Sequence, residues 1–291
     1  MSFHSNSAPR HSLLSNARCA INSMTNPAEF PRLDLALVER GLAESRTRAA
    51  RLIDAGDVQV DGRIVTKAGF RVDPDAAIEV TALTRWVARS AVKLLAACER
   101  FGVDYRGRTV LDIGASTGGF TEVALSRGAS RVIALDVGHG QIHPRIRDDY
   151  RVIVREGVNA RNLTSDEIDS WGVASIDDVV VDVSFISLTH IITSLVAALG
   201  TDFRYIVLVK PQFEVGKGNL VDGVVRDTAK RDAALIEVCE ALVAAGLPIS
   251  GIMASPIDGE HGNREALVYG DSTMSLDARQ WKDQAASTWK E

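Results

Sequence analysis

The sequence predicts an α/β protein with a doubly wound, mainly parallel sheet, preceded by a small α+β domain. Three observations lead to this prediction. Short apolar strands alternate with helix-length segments from residue 93 onward. A glycine-rich loop at 114–119 follows the first of these strands and precedes a helix, as in ligand-binding α/β sheets. The 291 residues, 46% of them hydrophobic, suffice for one large core and one satellite domain.

Residues 1–31 are predicted to be a disordered extension, because they are rich in Ser, Asn and Ala and lack an apolar stretch. A transit peptide is the alternative interpretation. No run of about 18 apolar residues occurs, so no transmembrane helix is predicted. The net charge of -5 gives no overall argument for nucleic acid. Three widely spaced cysteines have no zinc or redox spacing, which favours a cytoplasmic location.

The small α+β domain is predicted over residues 32–81. An apolar helical pattern is ended by Gly41, and Ser45 can cap a second helix. Alternating residues on both sides of an Asp-Gly turn predict a hairpin at 57–65, and a further strand is expected at 77–80. A domain of this size is only marginally stable alone.

The rest of the chain is predicted to contain a linker at 82–90, the main domain at 91–275 and a C-terminal tail at 276–291. Helices are expected between the strands, among them 187–199 and 228–245. The apolar strands are predicted at 108–114, 131–138, 151–157, 177–184, 204–211 and 251–257.

The loop at 114–119 lies where an open α/β sheet binds its ligand. Its glycines let the backbone turn tightly and approach a ligand closely. Asp136 ends the next strand, where an acid can accept hydrogen bonds from both ribose hydroxyls of an adenosine. These features fit NAD and S-adenosylmethionine alike. Asp112, which can lie near a cationic methionine end, and Ser116, which replaces the middle glycine of a dinucleotide motif, favour S-adenosylmethionine.

Charged residues lie at the predicted carboxyl ends of two strands, at the sheet edge where the glycine loop also lies. Asp182 and Lys210 are placed there by their positions in the sequence. Such charges are costly to desolvate unless they are paired or used. Lys93, expected just before the first helix of the domain, and Glu265 are the other candidates for chemistry, with solvated surface charges as the alternative.

Eight segments together resemble the TlyA family of ribosomal RNA 2'-O-methyltransferases, historically called haemolysin A-like. The resemblance covers about residues 32–272 and implies a Rossmann-like class I methyltransferase domain of the FtsJ type. It also implies an N-terminal RNA-binding domain like that of ribosomal small-subunit protein four. The segments are RLDLALVERGLAESR, SAVKL, LDIGASTGGFTE, ALDVGHGQ, NARNL, DVSFISL, LVKPQFE and GNREALVYG.

The resemblance implies methyl transfer from S-adenosylmethionine to a ribose 2'-hydroxyl of ribosomal RNA, with a cytidine as the expected nucleotide. Ribosomal RNA or ribosomal subunits are the expected partners, with no metal and no membrane. The implied catalytic residues are Lys93, Asp182, Lys210 and Glu265. We expect Lys210 to lie nearest the hydroxyl, with the other three holding it and tuning its pKa.

The implied ligand contacts extend over both domains. One departure from the family is that Ser90, Ala91 and Val92 stand where two glycines usually precede the first catalytic lysine. Cofactor contacts are expected at Asp112, Gly114, Ala115, Ser116, Gly118, Phe120, Asp136, Asn159 and Ala160. RNA contacts are expected at Arg32, Arg46 and Lys67.

Several other interpretations stay open. A non-catalytic RNA-binding or ribosome-assembly factor would share the fold, but all four tetrad positions are filled. A pore-forming haemolysin would need an amphipathic or membrane-length segment, which the sequence lacks. Phe185 either walls the target base or belongs to the core. Lys217, between two glycines, lacks the rest of a phosphate loop and is predicted to lie in a substrate loop.

Overall fold

The computed structural model describes residues 30–54, 57–80, 86–259 and 262–290. The chain divides after Val80 into two compact units. Residues 1–29 of the predicted extension, and residues 81–85 at the start of the predicted linker, lie outside the described residues.

The elements of the N-terminal unit are α1 (Leu33–Glu39), α2 (Arg46–Asp54), β1 (Val58–Val60), β2 (Arg63–Ile64) and β3 (Ile78–Val80). In its described part the three strands form an antiparallel sheet in the order β2-β1-β3, which shares one core with both helices. Ser45 Oγ accepts a hydrogen bond from Arg48 N at 3.2 Å and so caps α2 as predicted. Asp61 and Gly62 both have positive φ, as a tight hairpin turn requires.

The strands of the second unit are β4 (Thr109–Ile113), β5 (Arg131–Asp136), β6 (Val152–Glu156), β7 (Asp178–Val181), β8 (Arg204–Val209), β9 (Gly251–Ala254) and β10 (Ala266–Gly270). Its helices are α3 (Ala91–Phe101), α4 (Gly119–Ser126), α5 (Pro144–Arg147), α6 (Ser165–Asp169), α7 (Leu188–Leu199), α8 (Pro211–Glu214), α9 (Thr228–Ala244) and α10 (Ala278–Ser287). Within the described residues, no helix is long and apolar enough to cross a bilayer.

The seven strands described in this unit form one sheet in the order β6-β5-β4-β7-β8-β10-β9. Strands β6 to β8 in this order are parallel, and β10 runs antiparallel to both of its neighbours. The chain moves outward in one direction from β4 to β6 and in the other from β7 to β8. The reversal between β4 and β7 opens a crevice at the carboxyl ends of the strands, where such sheets bind ligands.

Apolar side chains cover both faces of the sheet, as the doubly wound prediction requires. Leu111 and Ile113 pack with α7, α9 and α10 on one face. Val110, from the same strand, packs with α3 and α4 on the other. Successive residues of β4 therefore point alternately into two cores, one on each face of the sheet. The carboxyl end of the strand lies at the edge of the sheet, where polar groups can be placed.

The structure confirms the mixed α/β fold and all six predicted strands, and it differs from the prediction in three places. β10 was not predicted; it lies between β8 and β9 and reverses the strand direction. Lys93 is the third residue of α3 rather than a residue before it. The segment predicted as a C-terminal tail contains α10, which is capped by an Asp277 capping box and buries Trp281, and Trp289 after the helix is also buried.

Candidate active site

Two adjoining clefts lie at the carboxyl edge of the sheet, and they divide the predicted site residues between them. The first, called the cofactor cleft below, has a volume of about 400 Å³ and is lined by residues between Ile113 and Ile191. The second, called the polar pocket, has a volume of about 270 Å³ and is lined by Lys93, Lys210 and Glu265. A smaller depression joins them and is lined by Gly114, Asp182 and Lys210 among others.

The glycine loop is pressed against the end of β7. The backbone N–H of Gly114 donates to Leu135 O at 2.9 Å, and the N–H of Asp182 donates to Ile113 O at 2.9 Å. Gly114 has a φ of +85°, and a Cβ atom there would lie 2.8 Å from the carbonyl carbon of Asp182 and would overlap its oxygen. Only glycine therefore lets β4 end this close to the strand that carries Asp182.

Ser90 is held under the other end of the glycine loop. A Cβ atom on Gly119 would overlap Ser90 Oγ and would lie 3.2 Å from Ala91 N. The departure from the family before Lys93 is thus accommodated by the absence of a side chain at residue 119.

Asp136 is turned toward the glycine loop at one end of the cofactor cleft. Its Oδ2 accepts from Ser116 N at 2.8 Å, and its Oδ1 accepts from Gly138 N at 2.7 Å. Each carboxylate oxygen keeps acceptor capacity for a ligand hydroxyl. Asn159 and Ala160 line the same cleft, which is mostly apolar with a few polar groups, as is typical of sites for organic cofactors.

Not all predicted cofactor residues lie on the cleft surface. Ser116 lines the cofactor cleft, and Ala115 and Phe120 line the joining depression. Gly118 caps α4 with a φ of +97° and packs against Ile146. Asp112 lies beneath the loop with no exposed surface, because alternate residues of β4 face α4 and not the cleft.

Asp112 is a buried acid with one satisfied oxygen. Thr121 Oγ1 donates to its Oδ2 at 2.6 Å, while its Oδ1 has no hydrogen-bond partner among the described residues. Burial raises the pKa of this carboxyl to about 7, although the Thr121 hydrogen bond lowers it. The unfolded value is about 4. Between about pH 4 and pH 7 the folded protein keeps a proton that the unfolded chain releases, so stability falls as pH rises through this window.

Replacing Asp112 by Asn should therefore stabilise the protein at pH 8, by roughly 1–4 kcal/mol, and give little change at pH 4. Asn keeps an acceptor for Thr121 and removes the buried charge. The measurement is chemical denaturation of both proteins at the two pH values, with exposed Asp202→Asn as the control. Equal destabilisation by Asp112→Asn at both pH values would contradict this account.

The four predicted catalytic residues meet as two ion pairs. Lys93 Nζ lies 2.5 Å from Glu265 Oε2, and both side chains are buried. Lys210 Nζ lies 2.6 Å from Asp182 Oδ1 and donates to Ser184 Oγ at 2.9 Å. The second pair is half-buried and lines the depression between the two clefts. A group in the polar pocket would thus approach a cofactor beside Lys210.

Sequence reasoning missed Gln212, which holds the other oxygen of Glu265. Its Nε2 donates to Glu265 Oε1 at 3.3 Å, and its own Oε1 has no partner among the described residues. Gly259 packs so closely that a Cβ atom there would overlap Glu265 Oε1. The Glu265 carboxylate is therefore fixed on both oxygens. The sequence feature that could have indicated Gln212 as a site residue is its position two residues after Lys210.

An aromatic pair lies where the clefts adjoin, with Phe185 lining the cofactor cleft and the half-buried Phe213 lining the polar pocket. Phe185 is 88% exposed and has a φ of +65°, and its ring centroid is 5.1 Å from that of Phe213. This exposure excludes the core position that the sequence left open for Phe185. A large apolar side chain with positive φ is a strained arrangement that occurs mostly at functional sites.

The predicted RNA contacts in the N-terminal unit are two paired arginines and a lysine. Arg32 Nε donates to Asp34 Oδ1 at 2.9 Å, and Arg46 Nη2 donates to Asp34 Oδ2 at 3.1 Å. Lys67 is exposed. Arg40, another basic residue of this unit, is used structurally, since it donates to the carbonyl oxygens of Ala76 and other loop residues.

Comparisons with known proteins match both units of the chain to known families. Residues 86–272 match the FtsJ-like methyltransferase family, and residues 31–78 match the S4 domain. The chain is 44% identical to the 16S/23S rRNA (cytidine-2'-O)-methyltransferase TlyA of Mycobacterium tuberculosis, over 83% of this chain and 90% of that protein. It is 37% identical to Hemolysin A of Brachyspira hyodysenteriae, over 82% and 98%. A solved structure of a hemolysin candidate from Streptococcus thermophilus superposes with a TM-score of 0.68 at 33% identity, over 90% and 96%.

Proposed function

Since the chain belongs to the FtsJ-like methyltransferase family, and by its 44% identity over most of its length to the TlyA group of that family, we propose that it methylates ribosomal RNA. The reaction is transfer of a methyl group from S-adenosylmethionine to a ribose 2'-hydroxyl, with a cytidine as the expected nucleotide. The observation that carries this proposal is the meeting of two lysine–carboxylate pairs beside a cofactor cleft.

The cofactor cleft has groups that suit the adenosine part of S-adenosylmethionine. Asp136 offers acceptors for two ribose hydroxyls, and Asn159 and Ala160 line the wall expected to flank the adenine. The missing side chain at Gly114 leaves the loop backbone free to approach the ligand. Bound S-adenosylmethionine would supply a methyl group already activated by its sulfonium.

Lys210 is the group that acts on the ribose hydroxyl. A neutral hydroxyl is a poor nucleophile, and a fixed positive charge beside its oxygen favours loss of the proton to solvent and stabilises the negative charge that develops. Asp182 and Ser184 hold Lys210 Nζ in place at the junction of the clefts. Alignment of hydroxyl, methyl and sulfur then supplies much of the rate, about 7 kcal/mol or more.

Lys93 and Glu265 form the wall of the polar pocket opposite this junction. Both are buried, so their pairing is what makes burial of either charge tolerable. Since Glu265 pairs with Lys93 through one oxygen and is held by Gln212 through the other, its role is to orient Lys93 toward the pocket. Their role is to hold the ribose.

The aromatic pair fits the nucleobase. Stacking on an exposed aromatic side chain contributes about 1–3 kcal/mol per base. Phe185 and Phe213 flank the junction, so a nucleotide turned out of its RNA helix would present its base to them and its sugar to Lys210. The S4 domain supplies a second contact with the RNA backbone.

Replacing Phe185 by Ala should lower kcat/KM for ribosomal RNA by about 5- to 150-fold, which corresponds to one lost stacking contact. Thermal stability should hardly change, because the side chain is 88% exposed. Phe185→Tyr should restore most of the activity. The control is Tyr150→Ala, which removes an equally exposed aromatic ring, 89% accessible, outside both clefts. Equal losses in the two alanine variants would contradict the assignment.

The proposed function is tested with the purified full chain, labelled S-adenosylmethionine, and ribosomal subunits from cells that lack the protein. We expect label on a ribose 2'-oxygen, located by mapping 2'-O-methylation in 16S and 23S rRNA. Binding of subunits without methyl transfer would support the non-catalytic RNA-binding alternative instead. Label on a base would contradict the proposed chemistry.

A further inference from the structure

Asp34 holds both arginines that are expected to contact RNA. It lies in the first turn of α1 and is 4% exposed. Its Oδ1 accepts from Arg32 Nε at 2.9 Å, and its Oδ2 accepts from Arg32 Nη2 at 3.2 Å and Arg46 Nη2 at 3.1 Å. One buried carboxylate therefore makes a two-point contact with one guanidinium and a single contact with another.

The three residues come from separate parts of the N-terminal unit. Arg32 precedes α1, and its backbone forms an isolated antiparallel β-bridge with that of Arg71. Asp34 lies in α1, and Arg46 is the first residue of α2. The N–H of Asp34 also donates to Ala68 O at 3.2 Å. The main chain of Asp34 is thus held by backbone pairing, and its buried carboxylate sets both guanidinium groups relative to the fold.

Both arginines stay accessible although they are paired. Their side chains are 42% and 60% exposed for Arg32 and Arg46. Arg32 donates two of its guanidinium N–H groups to Asp34, and Arg46 donates one, whereas each guanidinium has five such donors in all. The Arg32 guanidinium also lies over Gly69, where a Cβ atom would come within 3.5 Å of Nη1. The remaining donors are available to an anion.

Fixing a long side chain before binding has a physical advantage. An arginine that is ordered only on binding loses rotamer entropy at that moment, and a pre-ordered one does not. The planar guanidinium also needs a defined orientation to contact two phosphate oxygens together.

We propose that Asp34 is a positioning residue that presents Arg32 and Arg46 as one phosphate-binding pair toward RNA. The inference rests on the proposed function, because RNA is the partner it assumes. The inference predicts an unusual effect of a negative charge on RNA affinity. Through its charge alone, a carboxylate on a phosphate-binding surface should weaken RNA binding, whereas a carboxylate that positions arginines should strengthen it.

The test compares the full chain with Asp34→Asn in binding to 16S and 23S rRNA transcripts over a range of salt concentrations. We expect the variant to bind roughly three- to tenfold more weakly, although its net charge is more positive by one. The slope of log K against log salt should become shallower by about one, since one phosphate contact is lost. Equal or tighter binding by Asp34→Asn would overturn the inference.

Matched variants separate geometry from charge. Glu79→Gln removes an exposed acid of β3 and should leave RNA binding unchanged or slightly stronger. Arg32→Lys keeps the charge but cannot make the two-point contact with Asp34. It should weaken binding about as much as Asp34→Asn, and wild-type affinity in Arg32→Lys would count against the inference even if Asp34→Asn does not fold.

A double-mutant cycle tests whether Asp34 acts through the arginines. In an Arg32→Gln/Arg46→Gln background, Asp34→Asn should cause no further loss of affinity. A further loss there would show an effect through the fold and would overturn the inference. Failure of the proposed function looks different, because wild type would then transfer no methyl group to ribosomal subunits, whatever the affinity of Asp34→Asn for RNA.

Discussion

Replacement of Lys210 by Met is expected to lower methyl transfer to ribosomal RNA about 100- to 1,000-fold, with little change in affinity for S-adenosylmethionine. Met keeps the length of the side chain and removes the positive charge at the junction of the clefts. The loss should appear in kcat, because the charge matters most when the hydroxyl oxygen becomes negative. Single-turnover methyl transfer and calorimetric cofactor binding are the measurements.

The control for this variant is Lys282→Met on α10, which removes a surface charge paired with Glu240 at 3.3 Å. It should transfer methyl groups like wild type. Asp182→Asn should fall between the two, since Ser184 still contacts Lys210. Activity of Lys210→Met within tenfold of wild type would remove Lys210 from its assigned role.

Gly114→Ala is expected to abolish detectable cofactor binding and methyl transfer together. The new methyl group would overlap the carbonyl oxygen of Asp182, so β4 and β7 would have to separate where the glycine loop and the Lys210–Asp182 pair meet. The φ of +85° adds strain of about 1–3 kcal/mol. Cofactor affinity is measured by calorimetry and folding by thermal unfolding.

Gly172→Ala separates the two causes of this loss. Gly172 has a φ of +71°, but a Cβ atom there meets nothing within 4 Å. It should therefore show the backbone strain as a small decrease in melting temperature and keep full cofactor affinity. Loss of cofactor binding in Gly172→Ala, or its retention in Gly114→Ala, would contradict the steric explanation.

The sequence predicted the parallel part of the sheet well because its strands are apolar on both faces. β4, β5, β7 and β8 read as continuous hydrophobic runs, as parallel strands between two helical layers do. β10 was missed although all five of its residues are buried. Two charged residues, Arg264 and Glu265, come directly before it in the sequence. In addition, an antiparallel strand needs no crossover helix before it, so the alternation of strands and helices did not indicate β10.

The same omission limited what could be predicted about the site. Lys93 and Glu265 are 172 positions apart, and they meet because β10 pairs directly with β8. No spacing rule predicts that contact, so only the resemblance to a known family joined them. Lys93 also occupies the buried side of α3, where a charge interrupts the apolar pattern. The start of that helix was therefore placed too late in the chain.

Strand periodicity could have corrected the expectation for Asp112. Ile113 lines the cofactor cleft, so the residue before it must face the other side of the sheet. The position of Asp112 just before the glycine loop predicted that this residue is close to the ligand. It did not predict on which face of the sheet the side chain lies.

The late position of β10 in the chain orders the steps by which the enzyme is assembled during synthesis. All residues that line the cofactor cleft lie between 113 and 191, whereas Glu265 emerges from the ribosome only after another 70 or so residues. A nascent chain that ends before β9 carries all residues that line the cofactor cleft but leaves Lys93 without its acid. The residues expected to hold the methyl donor are thus synthesised before the last of the four residues expected to act on its methyl group.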